Sequence, residues 1–251
     1  MFWKKKKPAP ASPDQPASSR HLAIDSLKQA IAAQEKNNPH VRAQITGKDL
    51  VSNLLEGLKD DRGVRIETLL GALGSFAGFS TVYAMVKRLE DGSLKLEMPE
   101  VAVVELEDGR KFYFGDFLNR RLAEDKLSVF GLSAGAAEQL GATGFLDLQE
   151  LFARTAKTIG CKDFGVPDLP DAHNSGDLPL NFVQYAFPRY LQVLSRYDLH
   201  PDDYHLACAF AVQEVLQMSN GTIDPALAVR IVMECAVPAS KLDPQTVLAA
   251  A

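Results

Sequence analysis

The chain has 251 residues, 46% hydrophobic and 24% charged, with a formal net charge of -5. That is the composition of an ordinary globular protein that can bury its own core without cross-links. Four consecutive lysines, Lys4, Lys5, Lys6 and Lys7, mask a still more acidic remainder. This excludes a broad nucleic-acid surface, which needs clustered Lys and Arg to displace counterions. Three cysteines, Cys161, Cys208 and Cys235, with no CxxC pair, form neither a disulfide framework nor a zinc knuckle and point to a reducing, cytoplasmic setting.

Residues 1–18 read as a disordered basic and Pro-rich tail, because Pro8, Pro10, Pro13 and Pro16 alternate with small and polar residues. The Pro-rich run stands where a secretory signal would need an apolar stretch. Phe2 and Trp3 followed by Lys4 to Lys7 suit a weak, salt-sensitive contact with anionic membrane surfaces. Order is expected from Ser19, where Leu22, Ile24, Leu27 and Ile31 keep helical spacing until Pro39.

A second helix is expected from Thr46, with Thr46 and Asp49 in capping-box relation. The uncharged stretch Thr68 to Val86 is long enough to cross a bilayer, but its glycines and hydroxyls favour a buried helix pair. Gly71, Gly74, Ser75 and Gly78 would give a smooth stripe against which another backbone packs. Ser93 to Met98 alternates like a strand, and Asp108-Gly109 lies between two more strand-like runs, a two-residue hairpin signal. That register sets Glu105 opposite Phe112 and Val103 opposite Phe114. Asp116 would cap a short helix through Glu124.

Asp147 and Glu150 form a capping box for a helix that Gly160 ends. Cys161 to Leu180 is a long irregular loop, of the kind that is often functional or mobile. Its tip, His173 to Gly176, reads as a turn. Beyond it, His200-Pro201, Asp224-Pro225 and Asp243-Pro244 announce helix starts. The fold class expected is α+β: mostly helix, with an antiparallel hairpin or three-stranded meander and a C-terminal helical group. Regions 19–165 and 166–251 are the expected divisions, with one continuous domain left open.

Two constellations offer chemistry. Gly131-Leu132-Ser133-Ala134-Gly135 matches GxSxG, the hydrolase elbow that lifts a nucleophilic Ser on a strand-to-helix turn. Leu127 to Phe130 would be the strand, and the competing reading makes Ser133 a plain helix N-cap. His200, Asp202, His205 and Cys208 carry metal-ligand chemistry, with the last three spaced to share a helix face. The competing reading takes the Asp residues as helix-dipole complements and Cys208 as core. Neither set is complete, and no phosphate-binding pattern occurs. The function expected is therefore a non-enzymatic interaction or regulatory protein with a protein partner or self-association and without cofactor, metal or nucleic acid. The alternative is a hydrolase built on Ser133.

Overall fold

A computed structural model describes the backbone of residues 17–174 and 177–249 and the side chains from Ile24 onward. The basic tail with Phe2, Trp3 and Lys4 to Lys7 lies outside the described residues, as do Ser175 and Gly176 of the loop tip. The chain forms two units, one up to Arg42 and one from Ala43.

The first unit holds helix α1 (Ala17–Gln34) and the start of α2 (Val41–Leu58). Arg42 clasps Glu35 through two hydrogen bonds, 2.6 and 2.8 Å. Helix α2 begins five residues before the expected Thr46. Nothing from Val41 to Ile45 breaks a helix, and the Asn38 side chain meets the His40 N–H at 3.1 Å just ahead of it. Thr46 is therefore a buried interior residue, and Asp49 takes the Tyr197 hydroxyl and Arg196 instead of a cap.

In the second unit the central element is α3 (Ile66–Glu90), which packs against α7 (Pro179–Leu194), α8 (Tyr204–Met218) and α9 (Pro225–Ala239). It is one continuous helix, not the expected pair. It is long and apolar enough to cross a bilayer, but 94% of its most apolar stretch is buried inside the protein. Two of its buried hydroxyls are satisfied within the helix, Ser75 and Thr81 donating to the Gly71 and Gly78 carbonyls at 2.7 Å, while the buried Ser80 hydroxyl has no hydrogen-bond partner among the described residues. The small-residue stripe does the work expected of it. A Cβ at Gly74 or Gly78 would collide with the carbonyls of Val232 and Ala236 on α9. On another side Phe76, Phe79, Phe187 and Tyr190 interlock, with Phe79 and Phe187 edge to face at 4.7 Å. Helices on both sides of the loop around 161–180 thus share one core.

The β element is a single hairpin, β1 (Ala102–Glu105) and β2 (Lys111–Phe114). Residues 93–98 form turns rather than a third strand, since Asp91 accepts from Ser93 N–H and Leu94 N–H returns to the Arg88 carbonyl. The register is one residue off the expected one: Glu105 faces Lys111 and Val103 faces Tyr113. The connection is a turn plus a bulge, with Leu106 N–H on the Arg110 carbonyl and Gly109 at φ +82°. A three-residue loop with Gly in the left-handed position shifts the register and exchanges the faces.

After the hairpin, α4 (Asp116–Asn119) runs into a π-helical turn, Arg120–Glu124. Helices α5 (Val129–Gln139) and α6 (Leu148–Thr158) follow. Asp147 caps α6 as expected, accepting from Gln149 and Glu150 N–H. The long loop is strapped at two places. Buried Glu234 holds Arg154 at 2.5 Å and the Asp168 N–H at 3.0 Å. His173 meets Glu67 at 3.0 Å, while Arg65 holds the Ala172 carbonyl. Short α10 (Pro244–Ala249) closes the described chain, starting at its proline as α9 does.

The α3–α9 approach gives a paired expectation. Gly78→Ala should lower the urea unfolding midpoint by the equivalent of about 2–3 kcal/mol, because the added methyl meets backbone. Gly135→Ala in α5, where nothing lies within 4 Å, should instead stabilise by up to ~1 kcal/mol through helix propensity. Equal effects at the two positions would remove close packing as the reason for Gly78.

Candidate functional site

The hairpin is held firmly from one side. Tyr113 donates its N–H to the Lys241 carbonyl at 3.0 Å, and Phe112 bridges Leu242. Phe112 also stands edge to face with Phe164 at 5.2 Å, and Leu106 packs close to Gly160. At its base Val101 is buried, and the Pro99 and Glu100 carbonyls accept from Asp116 and Phe117 N–H. Glu100 also pairs with Arg120. Strand β2 therefore has neighbours on both edges.

Strand β1 does not. The Tyr113 N–H points away from β1, so the Val103–Tyr113 pair is not hydrogen-bonded. Val103 and Glu105 accordingly turn their N–H and C=O groups outward, where none of the described residues meets them. Exposed apolar side chains accompany this open edge: Val104 at 43%, and Leu96 at 61% and Met98 at 73% in the segment leading into it. Residues 95–111 carry five acidic and three basic side chains, and Glu97, Glu105, Glu107 and Asp108 are exposed. The arrangement offers backbone donors and acceptors, apolar contact and a negative fringe.

Of the residues singled out for metal chemistry, His200 and Asp202 lie elsewhere, at a cleft of about 400 Å³ that Lys87, Arg88, Glu90 and Asp91 also border. Asp202 is engaged there by arginines. Arg88 holds both its oxygens, and Arg121 stands at 3.9 Å. His200 accepts the Asp202 N–H at 3.3 Å. The Arg121 guanidinium lies 3.7 Å from the centre of the Phe117 ring, and burial lowers its pKa. Lys87 pairs with Glu90 at 2.8 Å, so the cations of this cleft already have carboxylate partners. His205 is buried with no partner at Nδ1. Burial, and then the Arg121 charge, push its pKa down to about 3. Cys208 is fully buried, and burial raises its thiol to about 12. Among the described residues no three His, Cys, Asp or Glu side chains are placed to hold one metal ion.

Ser133 lies in the middle of α5, so the strand expected before it and the N-cap position expected for it are both corrected. Leu127 to Phe130 is not a strand; Ser128 is the N-cap, accepting from Gly131 N–H at 3.0 Å, and the helix starts at Val129. The pentapeptide therefore lies wholly on a helix, where the backbone is not strained. Gly131 is explained by that cap, since a Cβ there would approach the Lys126 carbonyl at 2.8 Å. The Ser133 hydroxyl is buried, with no hydrogen-bond partner among the described residues.

Sequence reading missed the open edge because the expected register misassigned its faces. The available signal was the set of apolar residues Leu96, Met98 and Val104 in an otherwise charged segment. A comparison with protein-family models, curated proteins and solved structures finds no match for this chain.

The His205 environment has a measurable consequence. Its folded pKa lies below the unfolded value near 6.5, so the unfolded chain takes up the proton first as pH falls. Stability should be full above pH 6.5 and decline toward pH 3. At pH 4 the loss from this residue should be about 3 kcal/mol. His205→Phe should lose correspondingly less stability than the wild type between pH 6.5 and 4 in urea unfolding. Equal losses would mean that His205 is not a buried neutral base.

Proposed function

We propose that this is a non-enzymatic interaction protein that binds an extended segment of a partner protein along the open edge of β1. The observation that carries this reading is the outward row of Val103 and Glu105 backbone groups, unmet among the described residues. Adding a strand to such an edge satisfies these groups with main-chain hydrogen bonds, while alternate side chains supply specificity. The hairpin is suited to the task because β2 is tied to Lys241 and Leu242. An edge held in place loses little conformational entropy on binding.

The charge around the edge specifies the partner. Exposed Glu97 and Glu107 favour a segment bearing Lys or Arg, whereas Glu105 and Asp108 already face Lys111 and Arg110, and Leu96, Met98 and Val104 favour one with interspersed apolar residues. Binding of this kind is expected to weaken with salt.

The geometry supplies a selective variant. Because the Val103 N–H points outward, Val103→Pro removes a binding donor without removing a bond of the β1–β2 ladder, and proline is tolerated at such edge positions. Val104→Pro by contrast breaks the ladder with Phe112. A display library of eight-residue peptides, selected on the full chain, should enrich alternating apolar and basic sequences. An enriched peptide should protect the Val103 and Glu105 amides from hydrogen exchange. It should also lose at least tenfold in affinity for Val103→Pro, with the melting temperature little changed. Selected peptides that bind Val103→Pro as well as the wild type would overturn the proposal, as would protection confined to other residues.

A further inference from the structure

The open edge of β1 changes character along its length. Val103 and Val104 come first, with Val104 exposed, and the exposed acids Glu105, Glu107 and Asp108 follow. Asp108 is held by Arg110 at 2.8 Å. The Glu105 contact with Lys111 is looser, at 3.8 Å, with both side chains about half exposed. Glu107 pairs with no cation among the described residues, and neither does Glu97 in the segment leading into the strand. One stretch of the sequence has the complementary order in the same direction. Phe2 and Trp3 are followed by Lys4, Lys5, Lys6 and Lys7, and nowhere else are four consecutive residues all basic.

We propose that the chain's own N-terminal segment, Phe2 to Lys7, is the resident occupant of the β1 edge, added as a third strand parallel to β1 and displaced when a partner segment binds. The inference rests on the reading of β1 as a strand-addition edge.

The direction follows from the order of residues. In a parallel alignment Phe2 falls beside Val103, Trp3 beside Val104 and Lys4 beside Glu105, and the remaining lysines run on toward Glu107. The Trp3 ring then extends the face that Val104 shares with Phe112. An antiparallel alignment about Trp3 and Val104 sets Phe2 against Glu105 and Lys4 against Val103, which matches neither end. A parallel pair is slightly less stable per residue than an antiparallel one, which suits an occupant that has to leave. Tethering offsets the shortness of the segment. Nine residues, Pro8 to Pro16, separate Lys7 from the start of α1 at Ala17, and fully extended they span about 30 Å. A segment on a short tether acts at an effective concentration in the millimolar range, so a strand that binds weakly as a free peptide fills the edge. A longer partner segment still competes it away, at the cost of a reduced apparent affinity.

Hydrogen exchange on the full chain is the test. The Val103 and Glu105 amides should exchange at least threefold more slowly than in a variant lacking residues 2–7. The difference should be independent of protein concentration and should shrink as salt is raised. Lys4→Ser, Lys5→Ser, Lys6→Ser and Lys7→Ser together, in the full-length chain, should give the same loss of protection, which covers a shortened chain that fails to fold. Peptides selected for binding at β1 should bind the shortened chain at least threefold more tightly than the full chain. Equal exchange in the two chains would overturn the inference. So would protection that grows with protein concentration, which would make a second copy the occupant. Pelleting on phosphatidylserine vesicles that requires residues 2–7, with the β1 amides exchanging alike in both chains, would overturn it as well by assigning the segment to a membrane surface. Should selected peptides protect β1 and bind both chains equally, the tail inference alone falls. Absence of protection by either the tail or a selected peptide removes the edge reading with it.

Discussion

The close contact of α3 with α9 is the constraint from which the rest of the second unit follows. Gly74 and Gly78 let the two backbones approach until side chains beyond Cα have no room. A buried helix satisfies its polar side chains best by itself, and in α3 Ser75 and Thr81 are bonded back to its own carbonyls. Its other faces are then free for the Phe76, Phe79, Phe187 and Tyr190 cluster on α7 and for α8. The same device recurs at Gly47 of α2, where a Cβ would stand 2.6 Å from the Ala207 carbonyl of α8. Small residues here are interface residues, and the interior is packed around backbone-to-backbone contacts rather than around large side chains alone.

Charged groups at the margins fix what the core does not reach. Asp202 draws in Arg88 from the end of α3 and Arg121 from the π-helical turn. Glu234, buried on α9, holds Arg154 of α6 and the Asp168 backbone, and Asp168 in turn receives Arg154 and Arg230. Removing one partner of such a set strands a desolvated charge, which is far costlier than the pair's net worth. These and the Glu67 and Arg65 contacts hold the described residues of the loop between α6 and α7. In the same way the Asp202 oxygens serve the Arg88 and Arg121 guanidinium groups.

What the sequence disclosed and what it hid divide along physical lines. Local chemistry was legible. The Asp147 cap, the proline starts at Pro225 and Pro244, the left-handed Gly109 and the small-residue stripe each depend on a few adjacent residues. The failures arose where two local solutions compete. Asp-Gly suits a two-residue turn, but a three-residue loop with Gly at its last position uses the same pair and moves every partner by one. Ser93 to Met98 alternates like a strand, yet the Asp91 side chain and the end of α3 turn it aside first. Ser128 and Ser133 are both plausible caps, and only the packing of α5 chooses between them. The seat of the hairpin was beyond such reading, because Phe112 and Tyr113 meet Leu242 and Lys241 from more than a hundred positions away in sequence.

The edge of β1 and the core are mechanically one arrangement. Helix α9 is fixed by its contact with α3, and the chain leaves α9 through Ser240, bonded to the Ala236 carbonyl, directly into Lys241 and Leu242. Those two residues carry β2 along its inner edge. The ladder then fixes β1 in register, with Val103 and Glu105 facing outward. Each step is a backbone hydrogen bond or a steric stop, so the orientation of the outer edge is inherited from the most deeply buried contact in the unit. An isolated two-stranded hairpin would be only marginally stable in water. Seated on the end of α9, it becomes a rigid strand edge with its inner side already satisfied, which leaves the outer side as the place where another strand can be added.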